Sequence, residues 1–366
     1  MASNLYFAYG SNLNQADWHE WCRRNNHSTD LLRFHSIGYL PDHDLAFRYK
    51  SSSRDGGVLD VVPRVGQAVP GVIFEVLSGG WEALDAKEGA PDIYEKFGAV
   101  AIDSVGEEVP VRTYRVCSDR VQPFVRPNPK YVDVVKNGLD KYDLGDSLVS
   151  AAAKNEETPF LVDALFTYGT LMRGESRFSL LRRYGLICSL LAEISGRLLD
   201  LGSFPGLVKP NRPDDFVKGD FIRVHNIGDA IDELDRIEGF RGFGQPESLY
   251  RRTLNKVAVG DGRIRTAWVY HLNTNAKTGS EIESGDWRSR QQVSDGFLKS
   301  LVAAHVIDNE KATAARIAQM HPFCFDTDLE FVTQSLLPLE SAIRRGKVSE
   351  RRLAQASGHW LALCSD

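Results

Sequence analysis

The sequence predicts an α/β (α+β) fold that is present twice in tandem and is followed by a C-terminal helical extension. The main observation is a repeated pair of motifs. A Tyr-Gly pair occurs at residues 9–10 and again at 168–169, and a Leu-Asp-x-x-Glu-Gly motif occurs at 84–89 and again at 234–239. The Tyr-Gly pairs lie 159 residues apart and the Glu-Gly pairs 150. Landmarks that recur in the same order at nearly the same spacing indicate a duplicated domain.

The length of 366 residues also favours more than one domain. The segment 151–159 combines small and charged residues, as a linker does. The resulting division has three parts, which are 1–150, 160–274 and 275–366. The last part shows helical spacing of apolar residues without a further repeat. Its three predicted helical stretches are 293–306, 328–345 and 350–363.

In the first copy, short apolar or β-branched runs predict strands. These runs are 4–8, 45–49, 71–76 and 109–116. A Ser/Gly-rich turn is predicted at 51–57. Helices are predicted from Asn12 through Trp21, at 81–87 with Ser78 as the N-cap, and at 131–139. Glu88 then ends the second of these helices, just before Gly89.

The second copy repeats the same order of elements. Its predicted strands are 162–167, 196–201, 217–224, 254–259 and 263–272. Helices are predicted at 178–184 and 231–237, and a turn at 203–206. Glu238 is therefore expected at the end of a helix, as Glu88 is in the first copy.

The composition is that of an ordinary soluble globular protein, with 42% hydrophobic and 25% charged residues. A net charge of −5 does not favour nucleic acid as a partner. The sequence has no apolar run that could span a bilayer and no signal peptide, so no membrane association and a cytoplasmic location are expected. The five cysteines form no Cys-x-x-Cys pair and the histidines are scattered, so neither a disulfide framework nor a metal site is expected.

The Tyr-Gly turn is the first candidate for chemistry. Glycine lets the backbone approach a ligand closely and direct consecutive N–H groups at one point, where they stabilise an anion or an oxyanion. Ser11 and Thr170 follow the two turn glycines, but neither lies in a Gly-x-Ser-x-Gly motif. Both hydroxyls are therefore interpreted as holding the turn or binding a ligand, and not as nucleophiles.

The repeated glutamate is the second candidate. A carboxylate at a helix C-terminus is electrostatically unfavourable because of the helix dipole. Its recurrence at Glu88 and Glu238 therefore indicates a functional role. Partial burial would raise its pKa towards the range in which it can both accept and return a proton.

Together these motifs resemble the γ-glutamylcyclotransferase family, also called the AIG2-like fold, over residues 4–145 and 162–273. The first copy is similar to the γ-glutamylcyclotransferase branch at 9–12, 53–57, 70–74, 84–89, Tyr94 and 129–131. The second copy is similar to the γ-glutamylamine cyclotransferase branch at 168–171, 202–206, 219–220, 234–239 and 249–252. The resemblance implies two small mixed barrels, each with the Tyr-Gly turn at one mouth and the glutamate across from it.

The resemblance also implies catalytic roles for Glu88 and Glu238. The substrate-binding residues that it implies are Tyr9, Gly10, Ser11, Asn12, Gly56, Gly57, Tyr94, Tyr168, Gly169, Thr170, Leu171 and Tyr250. The implied activity is an acyl transfer, classed as a transferase or lyase, that releases 5-oxoproline from γ-glutamyl amino acids or γ-glutamyl amines. The α-amine attacks the γ-carbonyl and closes a five-membered ring, so a small-molecule substrate and no cofactor are expected.

Two alternatives stay open at this point, and a protein partner is not identified. The chain could be a non-catalytic module that binds γ-glutamyl-like ligands, or a scaffold whose C-terminal helices recruit a partner. Between the copies, the first is favoured for γ-glutamyl amino acids. It has Asn12 where the second has Leu171, and a shorter segment between its Glu-Gly pair and the following tyrosine.

Overall fold

A computed structural model describes residues 4–274 and 279–291, and these contain two closed five-stranded barrels in tandem. The predicted pair of mixed α/β barrels is thereby confirmed. Of the described residues, 4–164, 226–255 and 266–273 belong to one compact unit, and a second unit contains 165–225 and 256–265. The predicted helices of the C-terminal extension lie outside the described residues.

The first barrel has five strands, which are β1 (Leu5–Ala8), β2 (Leu32–Ser51), β3 (Gly56–Val76), β4 (Tyr94–Asp103) and β5 (Glu108–Val116). They are arranged in the order β1-β3-β2-β4-β5. β1 pairs with β5 in parallel, at Tyr6 and Arg112, and this pairing closes the barrel. The neighbouring pairs β1/β3, β2/β3, β2/β4 and β4/β5 are antiparallel. Phe7, Ile73 and Leu84 are buried in its core.

Strands β2 and β3 are much longer than the predicted strands 45–49 and 71–76. Proline argues against a strand because it cannot donate to the ladder, and Pro41, Pro63 and Pro70 all lie within the two strands. The register of the pair shifts between Pro41 and His43, so an irregularity accommodates one proline. These prolines explain why the sequence pattern predicted strands shorter than β2 and β3.

Four helices accompany the first barrel, which are α1 (Gln15–Arg24), α2 (Gly80–Glu88), α3 (Pro129–Asp140) and α4 (Ser147–Ala153). The Asn14 side chain caps α1 by accepting from two backbone N–H groups, 3.1 and 3.2 Å away. The prediction of Ser78 as the N-cap of α2 is wrong, because Gly79 takes that position with a φ of 79°. α4 occupies the beginning of the segment that was predicted as a linker.

The second copy contributes β6 (Ala164–Thr167), β7 (Leu186–Ser195), β8 (Arg197–Asp200), β9 (Pro205–Val208), β10 (Phe216–Val224), β11 (Tyr250–Val259), β12 (Ile264–Leu272) and β13 (Ser280–Glu281). The order β10-β6-β12-β11-β7 forms the second barrel, and β13-β8-β9 form a small sheet. Its helices are α5 (Phe178–Arg182) and α6 (Ile227–Ile237). No helix among the described residues is long and apolar enough to cross a bilayer.

Gly57→Ala is expected to destabilise the first barrel by about 3 kcal/mol or more, at the upper end of the range for overpacked sites. The backbone of Val125 and Arg126 passes directly over this glycine, and a Cβ there would lie 2.0 Å from the Val125 carbonyl oxygen. Gly98→Ala in β4 is the control, since a Cβ at Gly98 meets nothing within 4 Å. Urea unfolding measures both variants. A Gly57→Ala variant with wild-type stability and a raised KM would instead indicate a contact with substrate.

Candidate active site

The first Tyr-Gly turn connects β1 to a short 3₁₀ helix, Ser11–Leu13. β1 is almost wholly buried, and the chain leaves the barrel immediately after it. The Tyr9 side chain fixes the turn to β5, because its buried hydroxyl donates to the Tyr114 carbonyl oxygen at 2.8 Å. The first N–H groups of a helix have no acceptor within it, so the N–H groups at the start of this short helix are not used by the helix itself.

Glu88 lies beside this turn. The Asn12 side-chain amide donates to Glu88 Oε1 at 2.7 Å and to the Tyr6 hydroxyl at 2.9 Å. Glu88 is the last residue of α2, and Gly89 ends the helix with a φ of 64°. Burial raises the pKa of the Glu88 carboxyl, against the opposing effects of the Lys87 ammonium and the Asn12 hydrogen bond. The two sequence motifs of the first copy therefore meet in one place.

A cluster of charges adjoins Glu88. The two terminal nitrogens of Arg54 each donate to one oxygen of Asp17, both at 2.7 Å. Lys87 Nζ donates to the same carboxylate at 2.9 Å. Although burial opposes it, the hydrogen bonds of Arg54 and the charge of Lys87 hold the pKa of Asp17 below its usual range. Asp17 is therefore a fixed anion shared by two cations.

These groups line a cavity of about 380 Å³. Two tyrosines form part of its wall and are fixed by the backbone of Leu59 on β3. The Tyr94 hydroxyl donates to the Leu59 carbonyl oxygen at 2.7 Å, and the Leu59 N–H donates to the Tyr131 hydroxyl at 3.4 Å. Burial raises the pKa of both phenols, so both remain neutral in the cavity.

Of the residues predicted from the first copy, Ser11, Glu88 and Tyr94 line the cavity, and Asn12 is bonded to Glu88. Tyr9 and Gly10 belong to the adjoining turn. Gly56 and Gly57 have another environment. A Cβ on either would collide with the backbone of residues 125–128, and the Gly57 N–H donates to the Arg126 carbonyl oxygen at 2.9 Å.

Most residues that line the cavity were not among the predicted site residues, and those with a charged group or a fixed phenol next to Glu88 include Asp17, Arg54, Lys87 and Tyr131. Lys87 immediately precedes Glu88, so its position was available from the motif. Asp17 and Tyr131 come from α1 and α3, and no spacing in the sequence connects them with Glu88. Arg54 and Tyr131 lie in the segments 53–57 and 129–131, which both carried part of the resemblance.

In the second copy, the turn after β6 contains Tyr168, Gly169, Thr170 and Leu171. Tyr168, Thr170 and Leu171 are buried. A Cβ on Gly169 would lie 2.6 Å from Pro205 Cγ, so glycine is required there by the packing of that proline. This turn is therefore more closed by its own neighbours than the turn of the first copy.

The other predicted residues of the second copy are Glu238 and Tyr250. Glu238 caps the C-terminus of α6, is partly buried, and is followed by Gly239 with a φ of 63°. Tyr250 is buried and begins β11. The helix end that carries Glu88 in the first copy thus recurs at Glu238 in the second.

A second polar group in the first copy involves Asp85, three residues before Glu88. The Tyr114 hydroxyl donates to Asp85 Oδ1 at 2.6 Å. Lys96 Nζ donates to both Asp85 oxygens, at 3.0 and 2.8 Å. This aspartate therefore anchors α2 to β4 and β5 and fixes the helix end that carries Glu88.

The second copy contains the matching group, with arginine as the cation. The Tyr270 hydroxyl donates to Asp235 Oδ1 at 2.7 Å, and Arg252 Nε lies 3.0 Å from the same oxygen. Arg252 also donates to Asp42 at 2.6 Å and is fully buried. Its guanidinium lies about 5 Å from the centres of three rings, those of Phe240, Phe243 and Trp268. Burial raises the pKa of Asp235 to about 6, although Arg252 and Tyr270 oppose it.

A family model described as "Gamma-glutamyl cyclotransferase, AIG2-like" matches residues 6–131 and again residues 165–289. The chain belongs to this family. The two matched segments together make up more than half of the chain, and each contains one Tyr-Gly turn and one Glu-Gly motif. The repeat found in the sequence is therefore a tandem of two domains of this family.

Similar proteins carry related names. The gamma-L-glutamyl-butirosin B gamma-glutamyl cyclotransferase of Niallia circulans is 30% identical over 143 residues, which are 38% of this chain and 86% of that protein. The gamma-glutamylcyclotransferase of Bos taurus is 29% identical over 147 residues, 39% of this chain and 73% of its own length. A solved structure titled gamma-glutamyl cyclotransferase is 23% identical with a TM-score of 0.36, and the match covers 42% of this chain and 88% of that one.

Proposed function

We propose that this chain is a cyclotransferase that releases 5-oxoproline from γ-glutamyl amino acids or γ-glutamyl amines. One observation carries the proposal: the hydrogen bond from Asn12 to Glu88, which joins the Tyr-Gly turn and a partly buried carboxylate at the wall of one cavity. Membership in the γ-glutamyl cyclotransferase family supports the reaction class.

In the proposed reaction, the substrate carries its own nucleophile. The α-amine attacks the γ-carbonyl carbon, a C–N bond forms within the five-membered ring, and the C–N bond to the leaving amine breaks. A cavity that holds amine and carbonyl in the ring-closing geometry supplies much of the acceleration through proximity. Backbone N–H groups at residues 10–12 would stabilise the negative charge that develops on the carbonyl oxygen.

Glu88 is proposed as the proton carrier. It takes a proton from the α-ammonium group and returns it to the nitrogen of the leaving amine. The pKa of Glu88, which burial raises above its usual value, suits this exchange, because a higher pKa makes the carboxylate a better proton acceptor. Asn12 fixes one oxygen of the carboxylate and leaves the other for the substrate.

The first copy is proposed to carry the activity on γ-glutamyl amino acids. Its Asn12 bonds to the glutamate, whereas Leu171 in the second copy has no polar side chain to do so. Glu238 is proposed to serve any activity on γ-glutamyl amines, whose leaving groups suit a more apolar site.

A substrate panel tests the proposal. The full chain is incubated with γ-glutamyl alanine, glutathione and a γ-glutamyl alkylamine, and 5-oxoproline is measured by mass spectrometry. β-Aspartyl alanine is the negative control, because the same attack would have to close a strained four-membered ring. We expect 5-oxoproline from at least one γ-glutamyl compound and no cyclised product from the control. Binding of the γ-glutamyl compounds without any product would contradict the proposal.

Lys87→Met is expected to move the acid limb of the kcat/KM profile to higher pH. Glu88 must be a carboxylate to accept a proton, so activity is lost as the pH falls through the pKa of Glu88. The Lys87 ammonium lowers that pKa, and its removal raises it. Lys50→Met, an exposed lysine on β2, is the control and should leave the profile unchanged. An acid limb unmoved by Lys87→Met would show that another group titrates there.

A further inference from the structure

We infer that Arg54 binds the carboxylate of the leaving amino acid and makes the first copy selective for γ-glutamyl amino acids over uncharged γ-glutamyl amines. The inference rests on the proposed function and identifies the residue that would determine its substrate class. It starts from the placement of Arg54 in the turn between β2 and β3, at the cavity wall.

The guanidinium of Arg54 is held in a fixed orientation. Asp17 takes one N–H from each terminal nitrogen, and the ring of Tyr131 lies 5.4 Å from the guanidinium carbon. A guanidinium has five N–H groups in one plane, so three are not used by Asp17. The side-chain hydrogen bonds of Arg54 within the described residues all go to Asp17. A planar donor that is fixed on one side and open on the other suits a carboxylate.

The charges at the cavity also favour an anion. Glu20 and Arg24 are paired with each other at the rim. The remaining charged groups of the wall are two cations, Arg54 and Lys87, and two carboxylates, Asp17 and Glu88. In the proposed reaction Glu88 faces the α-ammonium group of the substrate. The two cations of the wall then share one carboxylate, Asp17. Because the α-carboxylate that every γ-glutamyl substrate carries is assigned to the turn, the one excess positive charge is left for the carboxylate of the leaving amino acid.

The solvent exposure of the cations along the cavity indicates that Arg54 lies near the leaving group. The exposed fraction of the side chain rises from 5% at Lys87, beside Glu88, through 25% at Arg54 to 74% at Arg24 on the rim. The γ-glutamyl group must reach Glu88, and the leaving group departs towards solvent. Its carboxylate therefore passes at the level of Arg54, while the α-carboxylate of the glutamyl group lies deeper, at the turn.

The second copy has no charged residue in the turn that corresponds to the one carrying Arg54. Its corresponding hairpin joins β8 to β9 through residues 201–204, which are Leu, Gly, Ser and Phe and carry no charge. Selectivity for a charged leaving group is thus a property of the first copy alone, on this inference.

The test compares two substrates that differ only in this charge, γ-glutamyl alanine and γ-glutamyl alaninamide. Because both contain the same γ-glutamyl group, any effect of Arg54 on Glu88 cancels in the ratio of their kcat/KM values. Arg54→Gln is expected to lower kcat/KM for the acid by about 10- to 100-fold, the worth of a charge-assisted hydrogen bond, and to change the amide value by less than about 3-fold. Arg54→Lys should retain more of the kcat/KM for the acid than Arg54→Gln but less than the wild type, since lysine keeps the charge and loses the planar donor.

Arg24→Gln is the control for the general field of the rim and should leave the ratio unchanged. Thermal melts of each variant report its folding. An equal loss on both substrates, or a ratio unchanged in Arg54→Gln, would overturn the role of Arg54 while the proposed function stands. A wild-type chain that binds both compounds and cyclises neither would overturn the proposed function itself, together with this inference.

Discussion

Glu88→Gln is expected to lower kcat for 5-oxoproline release by about 10²- to 10⁴-fold, the usual cost of losing a positioned acid/base. Glutamine has the same shape, and its carbonyl oxygen can still accept the hydrogen bond from Asn12, which is 2.7 Å in the native site. It cannot accept and return a proton. Steady-state kinetics on γ-glutamyl alanine measures the effect, and a thermal melt close to that of the wild type shows that the fold is kept.

Two further variants make this result specific. Glu82→Gln is the matched control, because Glu82 lies on the same helix and is exposed; its kcat should equal that of the wild type. Glu238→Gln separates the two copies and should affect only γ-glutamyl amines. Loss of activity on γ-glutamyl alanine in Glu238→Gln alone would move the reaction to the second copy. Unchanged turnover in the double variant would contradict the mechanism in both.

The sequence predicted the parts of the site that depend on local backbone geometry. A Tyr-Gly turn follows a buried strand in each copy, and a Leu-Asp-x-x-Glu-Gly segment ends a helix because glycine there takes a left-handed conformation, as Gly89 and Gly239 do. Such constraints act within a few residues of the chain. For this reason the repeat located Glu88 and Glu238 correctly at helix ends.

The charged cluster could not be predicted in the same way. Asp17, Arg54 and Lys87 come from α1, from a turn and from α2, and the closing of the barrel brings them together. The glycine pair at 56–57, in contrast, was predicted as part of the site. The family resemblance implied a contact with substrate, whereas the contact that excludes a side chain comes from residues 125–128, about 70 positions further along the chain.

One feature of the structure did have a signal in the sequence. The repeat that relates Glu88 to Glu238 also relates Asp85 to Asp235. The tyrosines that bond to these aspartates, Tyr114 and Tyr270, lie 156 residues apart, and so do their cations, Lys96 and Arg252. A search for polar residues at the offsets of the repeat, 150 for the aspartates and 156 for the tyrosines and cations, would have found the group. The exchange of lysine for arginine accompanies a change from a partly exposed to a fully buried cation.

Arg252→Ala is expected to lower the free energy of unfolding by about 3–5 kcal/mol, the cost of breaking a buried ion pair. The fully buried guanidinium lies between the carboxylates of Asp42 and Asp235, and its removal leaves both without their cation. Arg251→Ala is the control, because Arg251 is exposed on the same strand and should cost within about 0.5 kcal/mol. Urea unfolding followed by tryptophan fluorescence measures both variants.

A second comparison separates lost charge balance from lost packing. Without Arg252 the pKa of Asp235, already raised to about 6 by burial, rises further, since Arg252 lowers it in the native chain. Protonation then relieves the unpaired charge, so the deficit of Arg252→Ala should shrink as the pH falls towards 6, below which Asp235 is protonated in the native chain as well. The triple variant Asp42→Asn, Asp235→Asn, Arg252→Met removes all three charges and fills the space, and it should recover most of the stability at neutral pH. A deficit that is independent of pH and persists in the triple variant would mean that the contacts of Arg252 with the surrounding rings, and not its charge, hold this part of the fold.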